Sequence, residues 1–437
     1  MELFAIILAG LILALIIHKK PTYGIILAIF FATLGELGRL PIGYLINDLF
    51  IPLLILIWII KKISLQRKWI VPPLLPPITA WIVIAFFSLL INYSWLTTSE
   101  LKESTLYLIR FVEYFFLYLV TADEVLNKKN WTLSFYAIIG GAILVSIFGF
   151  IQLDLYPSFF ALGMEEKGWD PHINRLLSTW FDPNFVGGFL AFTTCILFGI
   201  GLFNYKKIFK KPAASLMLAG TSIIVLCALY LTYSRSAYLA CGIGIITITA
   251  LRSKKLLLLG GLFVVLSFSA IGKVQTRFLD LWESFQSIIG LNDYATLFNA
   301  DATSRLRLTS WQNAISIIKE NPIIGVGYNS FKYAQWKAGL IDSLDAHSAT
   351  GSDSTILTIF ATTGILGLIA YLWFYIKALI GSLKNSHTSG YHLGLTGGLV
   401  ALLIHSTFVN SLLFPHLLVF FWISLALSIK IPSHSSS

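Results

Sequence analysis

The chain has 437 residues, of which 57% are hydrophobic and 12% are charged, and its formal net charge is +10 at pH 7. A soluble domain cannot bury that much apolar surface, so the composition excludes a soluble globular protein and indicates a membrane protein. The apolar stretches are long and continuous, which excludes the ten-residue alternating segments of a transmembrane β-barrel.

Apolar runs long enough to cross a bilayer follow one another along most of the chain. A transmembrane helix needs about 20 apolar residues, or somewhat fewer when long polar side chains reach the interface from its ends. The runs predict an all-α polytopic membrane protein with about 12–13 transmembrane helices, forming a single membrane domain over residues 1–437. The predicted spans lie near 3–17, 23–36, 45–60, 77–92, 105–121, 132–152, 184–203, 214–232, 236–251, 256–272, 354–378, 392–408 and 412–429.

The basic residues are concentrated in alternate loops between these spans. Examples are "KKISLQRK" (61–68), "KKIFKK" (206–211) and "RSKK" (252–255). Loops rich in Lys and Arg stay on the cytoplasmic side, so the opposite loops are predicted to be extracytoplasmic. The positive net charge is then a topology signal, and no nucleic-acid partner is expected.

Two of the predicted outer loops are long. The first covers 153–183, and the second, 273–353, lies between predicted helices 10 and 11. The larger loop is rich in Trp, Phe, Ile and Leu, and "RLRLTSWQNAISIIK" (305–319) has helical apolar spacing. That spacing places Leu308, Trp311, Ile315 and Ile318 on one helical face, and Asn321-Pro322 is expected to end the helix. A second amphipathic stretch covers 273–289, and both are expected to lie on the membrane surface.

Arg235 is the only charged residue in the apolar run 216–251. A charge in or near hydrocarbon costs several kcal/mol (about 3 or more) unless it is paired, hydrated or functional. No carboxylate lies near Arg235 in sequence, so its partner must be a distant side chain or a ligand. Arg235 therefore favours a site for an anionic headgroup, and an arginine that reaches the interface is the alternative.

Other residues at the predicted outer face could act with Arg235. Arg175 precedes the span at 184–203, and Asp182-Pro183-Asn184 is expected to cap the start of that helix. Arg305 and Arg307 open the amphipathic helix of the larger loop. His347 and Asp353 precede the span at 354–378. Guanidinium groups donate paired hydrogen bonds to phosphate oxygens, and a His or Asp can accept the proton of an attacking hydroxyl. This combination suits transfer from a lipid-linked diphosphate.

Four segments carry a resemblance to a known family. "RLLSTWFDPNFVGG" resembles R-x-x-G-x-F-x-x-P-N with Arg175 as its arginine, and "LTYSRSAYLA" resembles T-x-S-R-small with Arg235. "RLTSWQNAISIIKENPIIGVGYNSF" resembles R-x-x-x-W…P-x-x-G-x-G-x-x-x-F with Arg307, and "DSTILTIFATTGILG" resembles H-N-x-x-L…G-x-x-G. In this order the segments resemble the O-antigen ligase and O-antigen polymerase superfamily of bacterial membrane glycosyltransferases.

The last segment departs from the family at its catalytic histidine. Counting back from Gly364, that position holds Asp353, and Ser354 takes the usual asparagine position. His347 lies six residues earlier. A carboxylate can serve as the base in glycosyl transfer. Asp353 is therefore the first candidate for the catalytic base, and His347 is the second.

The resemblance implies a metal-independent glycosyltransferase in the bacterial cytoplasmic membrane, with its active site on the extracytoplasmic side. The donor would be a glycan on undecaprenyl diphosphate, and the acceptor would be a hydroxyl of a glycan or glycolipid. The diphosphate would bind the arginines at 175, 235 and 307, with Arg305 as a further contact, and no cofactor would be needed. The reaction would be that of a ligase, and a polymerase of the same superfamily is the alternative.

Two different classes remain as competing interpretations. A transporter of polysaccharide or lipid would fit the membrane helices, but the chain lacks repeat symmetry and broken helix pairs. A non-catalytic assembly partner would not require clustered arginines.

Polar residues elsewhere are given structural interpretations. Arg110 and Glu113, three residues apart on one helix, are expected to form a pair. The charged residues of 36–48 are expected to be solvated loop charges, and His405 and His416 are expected to make polar contacts between the last helices.

Overall fold

The computed structural model describes residues 14–159, 172–208, 210–253, 255–258, 261–262, 302–345 and 349–429, without the side chains of 207–208 and 302–305. Within these residues the regular structure is helical and no strand forms beyond one isolated bridge. The all-α class predicted from the sequence is confirmed for this part of the chain.

The helices are numbered in chain order. The first seven are α1 (Pro21–Leu34), α2 (Ile46–Ser64), α3 (Leu75–Ile91), α4 (Thr98–Glu124), α5 (Lys128–Leu155), α6 (Pro183–Ile208) and α7 (Pro212–Leu231). The next are α8 (Arg235–Arg252), α9 (Ala302–Glu320), α10 (Phe331–Lys337), α11 (Thr355–Lys384), α12 (Gly390–Ser406) and α13 (Pro415–Leu427).

Six helices among the described residues are long and apolar enough to cross a membrane, and α3 and α13 are shorter apolar helices. Each predicted span overlaps one of these numbered helices, except 3–17 and 256–272, which lie largely outside the described residues. The membrane character is therefore confirmed, and the number of crossings stays a prediction.

The last helix, α13, lies in the centre of the bundle. It packs against α1, α4 and α5, and its residues from His416 onward are buried. Trp422 contacts Phe115 of α4 and Phe374 of α11, with ring centroids 5.3 and 5.4 Å apart. A helix that is apolar on every side is stable only when it is surrounded, which explains the central position of α13.

Glycines allow α6, α8 and α12 to approach one another closely. A Cβ at Gly199 of α6 would lie 2.3 Å from the backbone of Gly394 in α12. A Cβ at Gly244 of α8 would lie 2.5 Å from Cys195 Sγ in α6. Small residues in membrane helices permit this contact because no side chain separates the backbones. The three helices therefore hold fixed positions relative to one another.

A kink at Gly364 divides α11. Gly364 has φ +65° and ψ −170°, and the turn after α9 fills the opening. The amides of Val326 and Gly327 donate to the carbonyls of Ala361 and Thr362, each at 3.0 Å. The first part of α11 is thereby joined to the turn that follows Asn321-Pro322, where the sequence predicts the end of α9.

The interpretation of Arg110 is wrong, and that of the 36–48 charges is wrong for Asp48. Arg110 pairs with Asp48 at 2.6 Å and not with Glu113. Asp48 is only 8% exposed, so it is not a solvated loop charge. Its carboxylate also accepts from Tyr114 at 3.1 Å and caps α2 through the Leu45 amide at 2.9 Å. A buried carboxylate needs such partners. Two of them, Arg110 and Tyr114, belong to α4, which is distant in sequence.

Candidate active site

Arg175 lies in an irregular segment before α6 that runs alongside the end of α7. The amide of Leu176 donates to the carbonyl of Leu231 at 2.8 Å, and Arg175 Nε donates to the carbonyl of Thr232 at 3.0 Å. The Arg175 residue is only 8% exposed. These bonds attach the segment to the turn between α7 and α8.

Arg235 is the first residue of α8. The turn before it comprises residues 232–234, and Tyr233 adopts a left-handed φ of 47°. This conformation reverses the chain within three residues, so Arg235 stands next to the end of α7. The residue is half-buried. Its position at a helix N-terminus adds the partial positive charge of the first amides to that of the guanidinium.

Asn184 joins the segments that carry these two arginines. Its Oδ1 accepts from Ser234 Oγ at 2.9 Å and from Arg175 Nη2 at 3.4 Å. Asp182 holds Asn184 in place, because its Oδ1 accepts from the amides of Asn184 and Phe185 at 2.7 and 3.1 Å. The predicted Asp-Pro-Asn cap of α6 is confirmed. It also forms the point at which both arginine segments meet.

Arg307, on α9, reaches the same end of the bundle. Its side chain is half-buried and lies close enough to His405 of α12 for an electrostatic interaction. The ring of His405 in turn packs on Gly188 of α6, where a Cβ would lie 2.6 Å away. The His405 ring therefore connects Arg307 to α6, the helix that carries Asn184.

Asp353 precedes α11 in a loop that is held by hydrogen bonds. It adopts a left-handed φ of 50°, and its side chain is half-buried. Thr358 Oγ1 accepts from the Ser352 amide at 3.0 Å and donates to Asn410 Oδ1 at 3.0 Å. The next residue along, Ser411, is bonded to His405. The loop of Asp353 is thus linked to the histidine beside Arg307.

The structure therefore brings Arg175, Arg235, Arg307 and Asp353 to one end of the helical bundle. The side chain of Arg305 and the whole of His347 lie outside the described residues. Basic residues mark the opposite end, where Arg252 closes α8 and Lys384 closes α11. The same polarity is predicted by the alternation of basic loops, and the side of the membrane stays a prediction.

Tyr233 adds a phenol in the turn before Arg235, and Tyr328 packs against Trp81 of α3 with ring centroids 5.7 Å apart. Burial raises the pKa of each hydroxyl above its usual range. Both phenols are therefore neutral at physiological pH and act as hydrogen-bonding groups. Within the described residues, no cluster of three or more His, Cys, Asp or Glu is arranged to hold a metal ion.

Sequence reasoning did not assign Asn184 or His405 to this site. It interpreted Asn184 only as part of a helix cap and His405 only as a polar contact between the last helices. The position of Asn184 after Asp-Pro was the available signal. The apolar face predicted for α9 also shifts. Its buried residues include Leu308, Ala314 and Ile317, and Ile315 is 39% exposed. The face rotates because α9 packs on α11.

Residues 220–372 match a family model described as O-antigen ligase. The match supports membership of the O-antigen ligase and polymerase superfamily. The resemblance drawn from the motifs is therefore confirmed over the matched residues. The matched range includes Arg235, Arg307 and Asp353, and the motif around Arg175 precedes it. No curated protein matches the chain.

Proposed function

We propose that this superfamily member is a glycosyltransferase that moves a glycan from undecaprenyl diphosphate to an acceptor hydroxyl at the outer face of the cytoplasmic membrane. One observation carries the proposal. Asn184 accepts hydrogen bonds from Arg175 and from Ser234, the residue before Arg235. Arg307 lies within electrostatic range of His405, whose ring packs on Gly188 of the same helix.

The arginines at 175, 235 and 307 would hold the diphosphate of the donor. Guanidinium groups present paired donors that match phosphate oxygens, and Arg235 stands at a helix N-terminus. Negative charge on the bridging oxygen grows as the glycosidic bond breaks. Donors fixed by the surrounding hydrogen bonds stabilise that charge without reorganising. Arg305, two residues before Arg307, is proposed as a further contact.

Asp353 would serve as the base. The acceptor oxygen forms a bond to the anomeric carbon, and the bond from that carbon to the phosphate oxygen breaks. The acceptor proton passes to the Asp353 carboxylate, and undecaprenyl diphosphate leaves with the electron pair of the broken bond. His347 is the second candidate for this step. The arginines supply the positive charge, so the proposal includes neither metal nor cofactor.

The ligase and polymerase reactions share this donor chemistry and differ in the acceptor. A ligase would use a glycolipid hydroxyl, and a polymerase would use the end of a second glycan. The match to residues 220–372 is compatible with both, because the superfamily contains both reactions.

The proposal is tested with the purified protein in lipid nanodiscs, supplied with an undecaprenyl-diphosphate glycan and an acceptor. Release of undecaprenyl diphosphate is measured. Removing one hydrogen-bonded charge from such a site costs about 2–5 kcal/mol. Arg235→Ala is therefore expected to lower the rate at least about tenfold, since 1.4 kcal/mol corresponds to a factor of ten.

Arg252→Ala is the matched control, because Arg252 ends the same helix at its opposite end. It should release undecaprenyl diphosphate at the wild-type rate. Full activity of Arg235→Ala would contradict the proposal. Movement of intact donor across a sealed membrane without its cleavage would instead favour the transporter.

A further inference from the structure

His405 is enclosed behind the arginine-bearing segments, near the end of α12. The residue is 0% exposed, and its Nδ1 lies 2.5 Å from Ser411 Oγ. Ser411 opens the short turn that connects α12 to α13. This bond fixes the plane of the imidazole and selects which ring nitrogen faces away from Ser411.

The other ring nitrogen, Nε2, faces the start of α6. Among the described residues it has no hydrogen-bond partner at normal distance, and it interacts with the backbone of Asn184. Buried polar atoms are almost always hydrogen-bonded, and leaving one unsatisfied costs about 1–3 kcal/mol. An apolar residue would fill this space without that cost. The position therefore has a requirement beyond packing.

Two glycines shape α6 around its neighbours. A Cβ at Gly188 would lie 2.6 Å from the His405 ring. A Cβ at Gly187 would lie 2.7 Å from the Cβ of Ala237 and 3.1 Å from that of Ser234, on either side of Arg235. The Gly187-Gly188 pair therefore allows the α7–α8 turn and the imidazole to pack against the same turn of α6. These contacts set the distance between the α7–α8 turn and the imidazole.

His405 is therefore linked to each part of the diphosphate site, either directly or through neighbouring residues. Asn184, which accepts bonds from Arg175 and Ser234, begins α6 next to the ring, and the Arg307 side chain lies within electrostatic range. Ser411 links the ring to the loop that neighbours Asp353. No other described histidine has this combination of contacts.

We propose that His405 is a positioning residue for diphosphate binding. Its ring, oriented by Ser411 and seated on Gly188, sets the separation between Arg307 and the segments of Arg175 and Arg235. The inference rests on the proposed function, because it assumes that these arginines bind the donor diphosphate. The 0% exposure of His405 excludes direct contact with a substrate.

The test measures binding of inorganic diphosphate to the purified protein by calorimetry, together with the KM for the lipid-linked donor. His405→Ala is expected to weaken diphosphate binding about tenfold, the effect of losing about 1.4 kcal/mol. The donor KM should rise by a similar factor and the acceptor KM should not change. His405→Gln retains polar atoms at a similar reach and should restore part of the affinity.

Gly188→Ala provides a second route to the same effect. It leaves the imidazole in the protein but forces it away from α6, so diphosphate binding should weaken here as well. His392→Ala is the matched control. His392 is also buried in α12, but it bonds to the Ser428 carbonyl at the opposite end, so the affinity should match that of wild type.

Wild-type diphosphate affinity in folded His405→Ala or Gly188→Ala would overturn the inference. So would a His405→Gln affinity no better than that of His405→Ala, which would indicate simple packing. Thermal unfolding of each variant identifies folded samples. Arg235→Ala separates the two claims. If Arg235→Ala binds diphosphate normally, the proposed function fails. If Arg235→Ala loses affinity while His405→Ala and Gly188→Ala keep it, only the role of His405 fails.

Discussion

Asp353 combines a carboxylate with an unusual backbone. Its φ of 50° lies in the left-handed region, which is uncommon outside glycine, asparagine and aspartate, and the loop is held by Ser352 and Thr358. Strained conformations of this kind persist where the surrounding structure enforces them, and they are common at functional sites. The hydrogen bonds of the loop restrict the position of the Asp353 carboxylate relative to the arginines.

Asp353→Asn should therefore impair the chemical step more than binding. An amide cannot accept the acceptor proton, and general bases contribute about 10²–10⁴-fold to rates. We expect turnover to fall at least about 100-fold, within that range, with diphosphate affinity unchanged. Single-turnover release of undecaprenyl diphosphate measures this. Asp345→Asn, an exposed carboxylate in the same loop region, is the control. Full turnover in Asp353→Asn with loss in His347→Ala would move the base to His347.

At the scale of elements, the kink in α11 determines where the loop of Asp353 lies. A Cβ at Gly364 would lie 2.1 Å from the carbonyl oxygen of Ile323, and the φ of +65° adds strain. Strained backbone of this kind costs about 1–3 kcal/mol per residue. Gly364→Ala is expected to lower the thermal unfolding temperature by several degrees (about 2–8 °C).

Gly381→Ala is the matched control for this substitution. Gly381 lies in the same helix, and a Cβ there would meet nothing within 4 Å. Alanine is favoured over glycine in a helix by about 1 kcal/mol, so the control should be neutral or slightly stabilising. Equal unfolding temperatures for the two variants would contradict the steric role assigned to Gly364.

A buried ion pair joins α2 to α4 at the end opposite the arginines. The side chains of Lys62 and Asp123 are 1% and 7% exposed, and Asp123 also accepts from Trp58 at 2.9 Å. Removing one partner leaves an uncompensated buried charge and costs about 3–5 kcal/mol. Asp123→Ala should reduce stability by about that amount. Lys62→Met combined with Asp123→Leu should recover most of the loss. A double variant as unstable as Asp123→Ala would contradict this account.

The sequence predicted the helices well because each apolar run and each basic loop is a local signal. It predicted the Asp182 cap and the end of α9 at Pro322 for the same reason. It could not predict the partner of Arg110, since Asp48 is 62 residues away along the chain. The roles of Asn184 and His405 at the site could not be predicted for the same reason, because they come from packing between helices that are distant in sequence.

At the scale of the whole molecule, the alternation of basic loops predicts which end of the bundle faces out. In a Cys227→Ser background the remaining cysteines, 195 and 241, are buried. Tyr156→Cys, at the exposed end of α5, should react with a membrane-impermeant maleimide in intact spheroplasts. Asn385→Cys, at the exposed opposite end of α11, should react only after lysis. The reverse pattern would place the arginines in the cytoplasm.

The claim that arginines from three separate segments grip one diphosphate is tested most directly by an experimental structure of the protein bound to undecaprenyl diphosphate. The account predicts phosphate oxygens within hydrogen-bonding distance of Arg175, Arg235 and Arg307. Asp353 should face the space beyond the terminal phosphate. A diphosphate bound elsewhere, with those guanidinium groups making no contact to it, would contradict the account.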